Sequence, residues 1–113
     1  MIVFLRILFA AILVAMLAVT ISASLQQGVF EAGRALWPDP WFRATLADAY
    51  FGFITVYVWI AYRESSWLGR GVWFVLLMML GNIAIAVYML NQLFRVPRDA
   101  SLESVLLRPE AKP

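Results

Sequence analysis

The sequence contains no cysteine and no histidine. Without cysteine there is no disulfide, thiolate nucleophile or thiolate metal site. Without histidine the commonest general base and metal ligand is gone. A serine nucleophile would lack its base, and a metal would lack convergent ligands. No glycine-rich phosphate loop is present. The residues therefore point away from an enzyme and imply neither a cofactor nor a metal. Charge is scarce too. Only 14% of the residues are charged, against about 25% in an average soluble domain. The formal net charge of +2 is spread along the chain. Sparse basic residues of this kind suit membrane orientation and headgroup contact, not nucleic acid.

What the chain has instead is apolar length. Of 113 residues, 64% are hydrophobic, where a soluble domain carries about 45–50%. So small a globule leaves much of its surface outside, and lipid is the natural solvent for the excess. Ile2 to about Leu25 is apolar apart from Arg6, Thr20, Ser22 and Ser24, and about 20 such residues span a bilayer as a helix. The rival reading is a cleaved secretory signal ending at Ser22-Ala23-Ser24. The apolar run is longer than the usual ~7–15-residue signal core, which favours the span. Ala11, Ala15, Ala18 and Ser22 form a small-residue stripe of the kind that lets helices approach closely.

The stretch from Trp41 to Glu64 is the centre of the chain, with a second helix expected over about 45–62. Its more polar face carries Asp48, Gly52, Thr55, Trp59 and Tyr62 and is expected to point inward. Between the first two helices, Val29 to Leu36 suits a short amphipathic helix lying on the membrane surface. Pro38 and Pro40 break the chain there, and Trp37 and Trp41 suit the headgroup belt. The short loop Arg63–Gly71 makes the next helix an antiparallel neighbour, with Ser65 or Ser66 as its cap. That third helix is expected over about 70–94, with Gly81 and Asn82 packing at mid-membrane. A tail over 99–113 carries a short helix that begins at Asp99 or Ser101 and stops before Pro109. The expected architecture is all-α: a three-helix integral membrane bundle over 1–98, with an interfacial helix in its first connection and a short helix in the tail.

Three spans place Arg6 and the Arg63–Gly71 loop on one side, and the first connection and the tail on the other. Raw count of basic residues favours the second side as cytoplasmic, through Arg34, Arg43, Arg95, Arg98, Arg108 and Lys112. Density in the short loop and the basic start of the first helix favour the other. The expectation is N-terminus inside and tail outside. The same topology gathers Ser22, Thr45, Asp48, Tyr88, Asn91 and Arg95 at one membrane level. Asp48 has three readings there: a proton- or cation-accepting group in a polar pocket, one partner of an interhelical clamp with Arg95, or a first-turn carboxylate favoured by the helix dipole. Arg63-Glu64, at the opposite level, suits either a lipid headgroup or a solvated surface pair worth little.

Three motifs in order carry a resemblance: ATLADAY at the start of the second helix, VWIAYRESSWL at its end, and GNIAIAVYMLNQLF in the third. They resemble a domain-of-unknown-function family of small multi-pass membrane proteins with bacterial and longer plant members. The likeness runs from about Trp41 to Phe94. It implies that Thr45, Asp48, Tyr50, Trp59, Tyr62, Glu64, Gly81 and Tyr88 belong to the family pattern, which admits Ser where this chain has Asn82. The family brings no assigned activity. The expected role is a non-enzymatic accessory or structural subunit of the bacterial inner membrane, assembling with itself or with a membrane-protein partner. The alternative is an oligomeric small transporter that uses Asp48 as its coupling carboxylate.

Overall fold

The computed structural model describes residues 1–108; Pro109 and Lys112 lie outside the described residues. Everything described is helix or connection: α1 (Ile2–Gln26), α2 (Val29–Leu36), α3 (Pro40–Arg63), α4 (Trp67–Leu80), α5 (Asn82–Phe94) and α6 (Glu103–Leu106). α1 and α3 are each long and apolar enough to cross a membrane.

The prolines that end one helix begin the next. Pro40 opens α3, five residues before the expected start at Thr45. A first-turn proline gives up no helical hydrogen bond, and its fixed φ suits the helix. Asp39 caps this end, its carboxylate accepting from the Trp41 amide at 2.9 Å. Ser66 caps α4 in the same way, accepting from the Gly69 amide at 3.0 Å.

The expected third span is not one helix. α4 stops at Leu80, Gly81 adopts φ 56° and ψ −121°, and α5 runs back beside α4. Trp73 and Tyr88 meet with ring centroids 4.8 Å apart. In a straight helix they would stand roughly 22 Å apart at 1.5 Å per residue. Only glycine adopts this backbone conformation readily. The ring of Phe53 supplies a second reason, since a Cβ at Gly81 would fall 2.5 Å from its Cζ. The Tyr50 hydroxyl donates to the Met78 carbonyl at 2.9 Å, satisfying one of the carbonyls that α4 leaves open at its end.

This hairpin reverses the expected layout. α5 runs antiparallel to α4 and so parallel to α3, and α1 packs along α5. Ile2, Leu93 and Val105 form one buried cluster, with Leu5, Phe9 and Met89 against it. The tail was expected at the end opposite Ile2; it packs directly on it. A second cluster joins Ile60, Leu77, Ala84 and Tyr88. The small-residue stripe of Ala11, Ala15, Ala18 and Ser22 is exposed. α1 meets α5 through its larger residues instead.

The expected inward face of α3 is also turned out. Asp48, Gly52, Thr55 and Tyr62 are exposed and only Trp59 is half-buried. Phe53, Val56 and Ile60, which lie off that polar face, are the residues that face the hairpin. Two causes combine. Burying these larger side chains removes more apolar surface than burying Gly52 and Thr55 would. Thr55 also needs no interhelical partner, because its hydroxyl donates to the Phe51 carbonyl at 2.8 Å.

Candidate functional site

The ends of α3 and α5 come together beside the start of α1, and four arginines meet there. An α-helix leaves its last carbonyls unpaired, and its C-terminus carries partial negative charge. Each of the four donates to carbonyls at or just beyond the end of a helix other than its own. Arg6 of α1 donates to Leu93 at 3.0 Å and Val96 at 2.8 Å, at the end of α5. Arg70 of α4 donates to Ala61 at 2.9 Å, in the last turn of α3. Arg108 donates to the next α3 carbonyl, Tyr62. Arg63 of α3 donates to Val105 and, at 2.7 Å, to Leu107, at the end of α6. Each guanidinium also lies over an aromatic ring: Phe94, Trp67, Tyr62 and Trp59 respectively, at 4.7–5.8 Å from the centroid. Such stacking adds roughly 0.5–1 kcal/mol at exposed positions.

Arg63 is the most enclosed of the four, with 7% of its surface exposed. A third bond, from Nη2 to Gln92 Oε1 at 2.6 Å, ties it to α5. All its acceptors are neutral. One turn earlier, Trp59 donates its indole N–H to the Leu106 carbonyl at 2.8 Å. Three successive tail carbonyls are therefore held by two side chains on one face of α3.

Behind this strap lies a polar cavity of about 540 Å³, lined by Arg63, Glu64, Ser65, Tyr88, Gln92, Arg95 and Arg108. Tyr88 is 1% exposed and makes edge contacts with Trp59 and Trp73. Among the described residues two buried polar atoms at this site lack a hydrogen bond of good geometry, the Tyr88 hydroxyl and Arg63 Nε, and the hydroxyl lies beside both Arg63 and Glu64. Buried polar atoms are nearly always satisfied, which makes the pair unusual. Among the described residues no cluster of acidic side chains is disposed to hold a metal.

The six residues expected to share one membrane level are split between the two ends. Tyr88, Asn91 and Arg95 belong to the arginine end. Thr45 and Asp48 lie on the early turns of α3, with Asp48 roughly 22 Å along the helix from Arg63. Ser22 lies near the far end of α1, where residues 17–31 are all exposed. The cause is the turn at Gly81, which sends α5 back toward the start of α1. Asp48 is exposed, and Arg95 is too distant to clamp it. Gly81 is buried against Phe53 at the turn, whereas Asn82 is exposed beside it. Arg63 and Gln92 were not joined by the sequence reading. The available signal was polar residues at the ends of two apolar runs, and its meaning depends on the hairpin.

Four residues of the motifs quoted above, Trp59, Tyr62, Glu64 and Tyr88, gather at the arginine end. Two more, Tyr50 and Gly81, make the turn. No curated protein and no solved structure matches the chain. A family model described as Protein of unknown function (DUF1475) matches residues 1–113, well beyond the Trp41–Phe94 stretch that carries the resemblance. The chain belongs to that family.

Proposed function

We propose that the chain is a small integral membrane protein of the bacterial inner membrane, with a non-enzymatic accessory role. In this reading α1 and α3 cross the bilayer, and α4 and α5 enter it as a hairpin and return. The arginine end faces the cytoplasm. The supporting observation is the exposed apolar surface along the far half of each long helix. Beyond the hairpin, α1 and α3 expose Val14, Leu17, Val19, Ile21, Leu46 and Phe51. Water would oppose that exposure at about 25 cal/mol per Å²; lipid or another membrane chain would not.

Charge supports the orientation. Arg6, Arg63, Arg70, Arg95, Arg98 and Arg108 belong to the packed end. The other end has Arg34 and Arg43 alongside Glu31, Asp39 and Asp48. The two ways of counting basic residues disagree for three spans but agree for this layout, and both favour the arginine end as cytoplasmic. The tail then lies inside with the start of α1, not outside. α2 lies at the opposite surface, with Phe30 and Trp37 lining an apolar groove beside Phe42 and Leu46 of α3.

The accessory role is favoured over a transporter because the polar cluster that would couple Asp48 to a pathway is divided. The cysteine-free chain allows single-cysteine labelling with an impermeant reagent. Ser65→Cys and Ser101→Cys are expected to label only from the cytoplasm, and Ala35→Cys only from outside. Labelling of Ser101→Cys from the same face as Ala35→Cys would overturn the topology. The mass of the complex, gently extracted from its native membrane, tests the role. A stoichiometric second protein or a discrete homo-oligomer supports a subunit; a lone chain counts against it.

A further inference from the structure

The arginine end holds more donors than its helix ends use. Among the described residues, Arg63, Arg95 and Arg108 line the cavity against the single acidic residue Glu64. Glu64 is partly committed elsewhere: its carboxylate lies beside Gly69, where a Cβ would stand 2.9 Å from Oε2. That is the first turn of α4, whose dipole favours negative charge. Arg63 Nε and the Tyr88 hydroxyl lie sealed from solvent behind the cavity's inner wall, the hydroxyl beside both Arg63 and Glu64. A guanidinium N–H can only donate, and a phenol donates readily. A cavity whose described lining is net positive fits a ligand that accepts hydrogen bonds and carries negative charge.

We propose that this cavity binds an anionic phosphate group, with Arg63 and Tyr88 at its inner wall and the exposed Arg95 and Arg108 at its mouth. Guanidinium groups match the oxygens of phosphate with paired N–H donors. A volume of about 540 Å³ leaves room for an organic substituent as well as the phosphate. The mouth lies where α3 and α5 end. If the membrane reading above is right, that is the level of the cytoplasmic headgroups, and the phosphate belongs to an anionic phospholipid. A soluble phosphate monoester offers the same chemistry, and only the choice between these two sources rests on that reading.

The test uses the purified chain in nonionic detergent. Inorganic phosphate and glycerol phosphate are titrated by calorimetry. Dioleoylphosphatidylglycerol, and dioleoylglycerol as its phosphate-free counterpart, are compared by native mass spectrometry. Arg95→Gln and Tyr88→Phe are carried in parallel, with circular dichroism as the check on folding. The expected result is phosphate-dependent binding that falls roughly ten-fold in Arg95→Gln and measurably in Tyr88→Phe. Retention of the phospholipid alone identifies a lipid source. Binding of the soluble phosphates to the same extent identifies a soluble one. The proposal is overturned if no phosphate compound binds, if dioleoylglycerol is retained equally, or if both folded variants bind as the parent does. Cysteine labelling reads topology separately. A wrong topology with phosphate binding intact removes the lipid source and leaves the cavity's chemistry standing.

Discussion

The ring of Phe53 lies across Gly81, so close that a Cβ at Gly81 would stand 2.5 Å from Cζ and 2.8 Å from Cε2. Phe53 is itself held edge-on by Tyr50, with centroids 5.3 Å apart and planes at 68°. Tyr50 in turn donates to Met78, the third residue before the turn. One turn of α3 thus both covers the reversal of the chain and satisfies part of its open backbone. This accounts for how non-helical backbone can lie among apolar helices.

Gly81→Ala is expected to destabilise the protein by two separable effects. The positive φ costs about 1–3 kcal/mol, and the collision with Phe53 adds an overpacking term of about 1–3 kcal/mol. Thermal unfolding in detergent measures the sum. Adding Phe53→Leu should recover the second part and leave the first. An unchanged melting temperature in Gly81→Ala would mean that the turn is not as described.

Arg63→Met is expected to release the tail from α3. The Val105 and Leu107 carbonyls and the Gln92 side chain lose their shared donor, each at about 1–3 kcal/mol where buried. Arg63→Lys keeps the charge but not the planar fork, and should hold the tail only in part. Amide exchange across Ser104–Arg108 is the appropriate measurement. Exchange as slow in Arg63→Met as in the parent would show that Trp59 and the burial of Val105 suffice.

Tyr88→Phe and Tyr88→Ala should behave oppositely in the ligand-free protein. The hydroxyl makes no hydrogen bond of good geometry among the described residues, so its removal is expected to change stability by no more than about 1 kcal/mol, in either direction. Truncation to Ala removes a buried ring packed between Trp59 and Trp73, and is expected to cost about 3–5 kcal/mol. A large loss in Tyr88→Phe would reveal a hydrogen bond that the structure lacks.

Asp48→Asn is expected to leave the melting temperature of the isolated chain nearly unchanged, within about 0.5 kcal/mol, because Asp48 is exposed. The mass of the extracted complex provides a second reading of the same variant. A drop in stability that accompanies dissociation would place Asp48 at a contact between chains.

The helical character of the chain was legible from its apolar runs, because hydrophobic length reports a helix without reference to any neighbour. α1 is the clearest case: the Ile2–Leu25 run and the helix Ile2–Gln26 differ by one residue. The reversal at Gly81 was not legible. Residues 70–94 form a nearly unbroken apolar run whose length suits a bilayer, and one glycine within it costs a helix only about 1 kcal/mol. What decides the matter is Phe53, distant in sequence. The site followed the same logic. Tyr88, Asn91 and Arg95 were grouped with Asp48 because a straight third helix would bring them to its level. Once that helix folds back they move to Arg63, for which the sequence alone offers a lipid headgroup or a solvated surface pair and not a buried link to Gln92.

The hairpin also governs parity. α4, Gly81 and α5 together, if straightened, would be a helix of roughly 42 Å at 1.5 Å per residue, ample to traverse a bilayer. Folded, the same residues return to the face they left. In the proposed membrane reading, the turn at Gly81 therefore separates an even number of crossings from an odd one, and with it the compartment that holds the tail as far as Arg108. In the same reading, the translocation machinery meets an apolar segment that its hydrophobicity alone would carry through during insertion. Retention on the near side depends on α3 already being in place to receive the turn. That reading makes early synthesis of α3 a requirement for correct topology, with loss of its Phe53 face expected to send the tail to the opposite compartment.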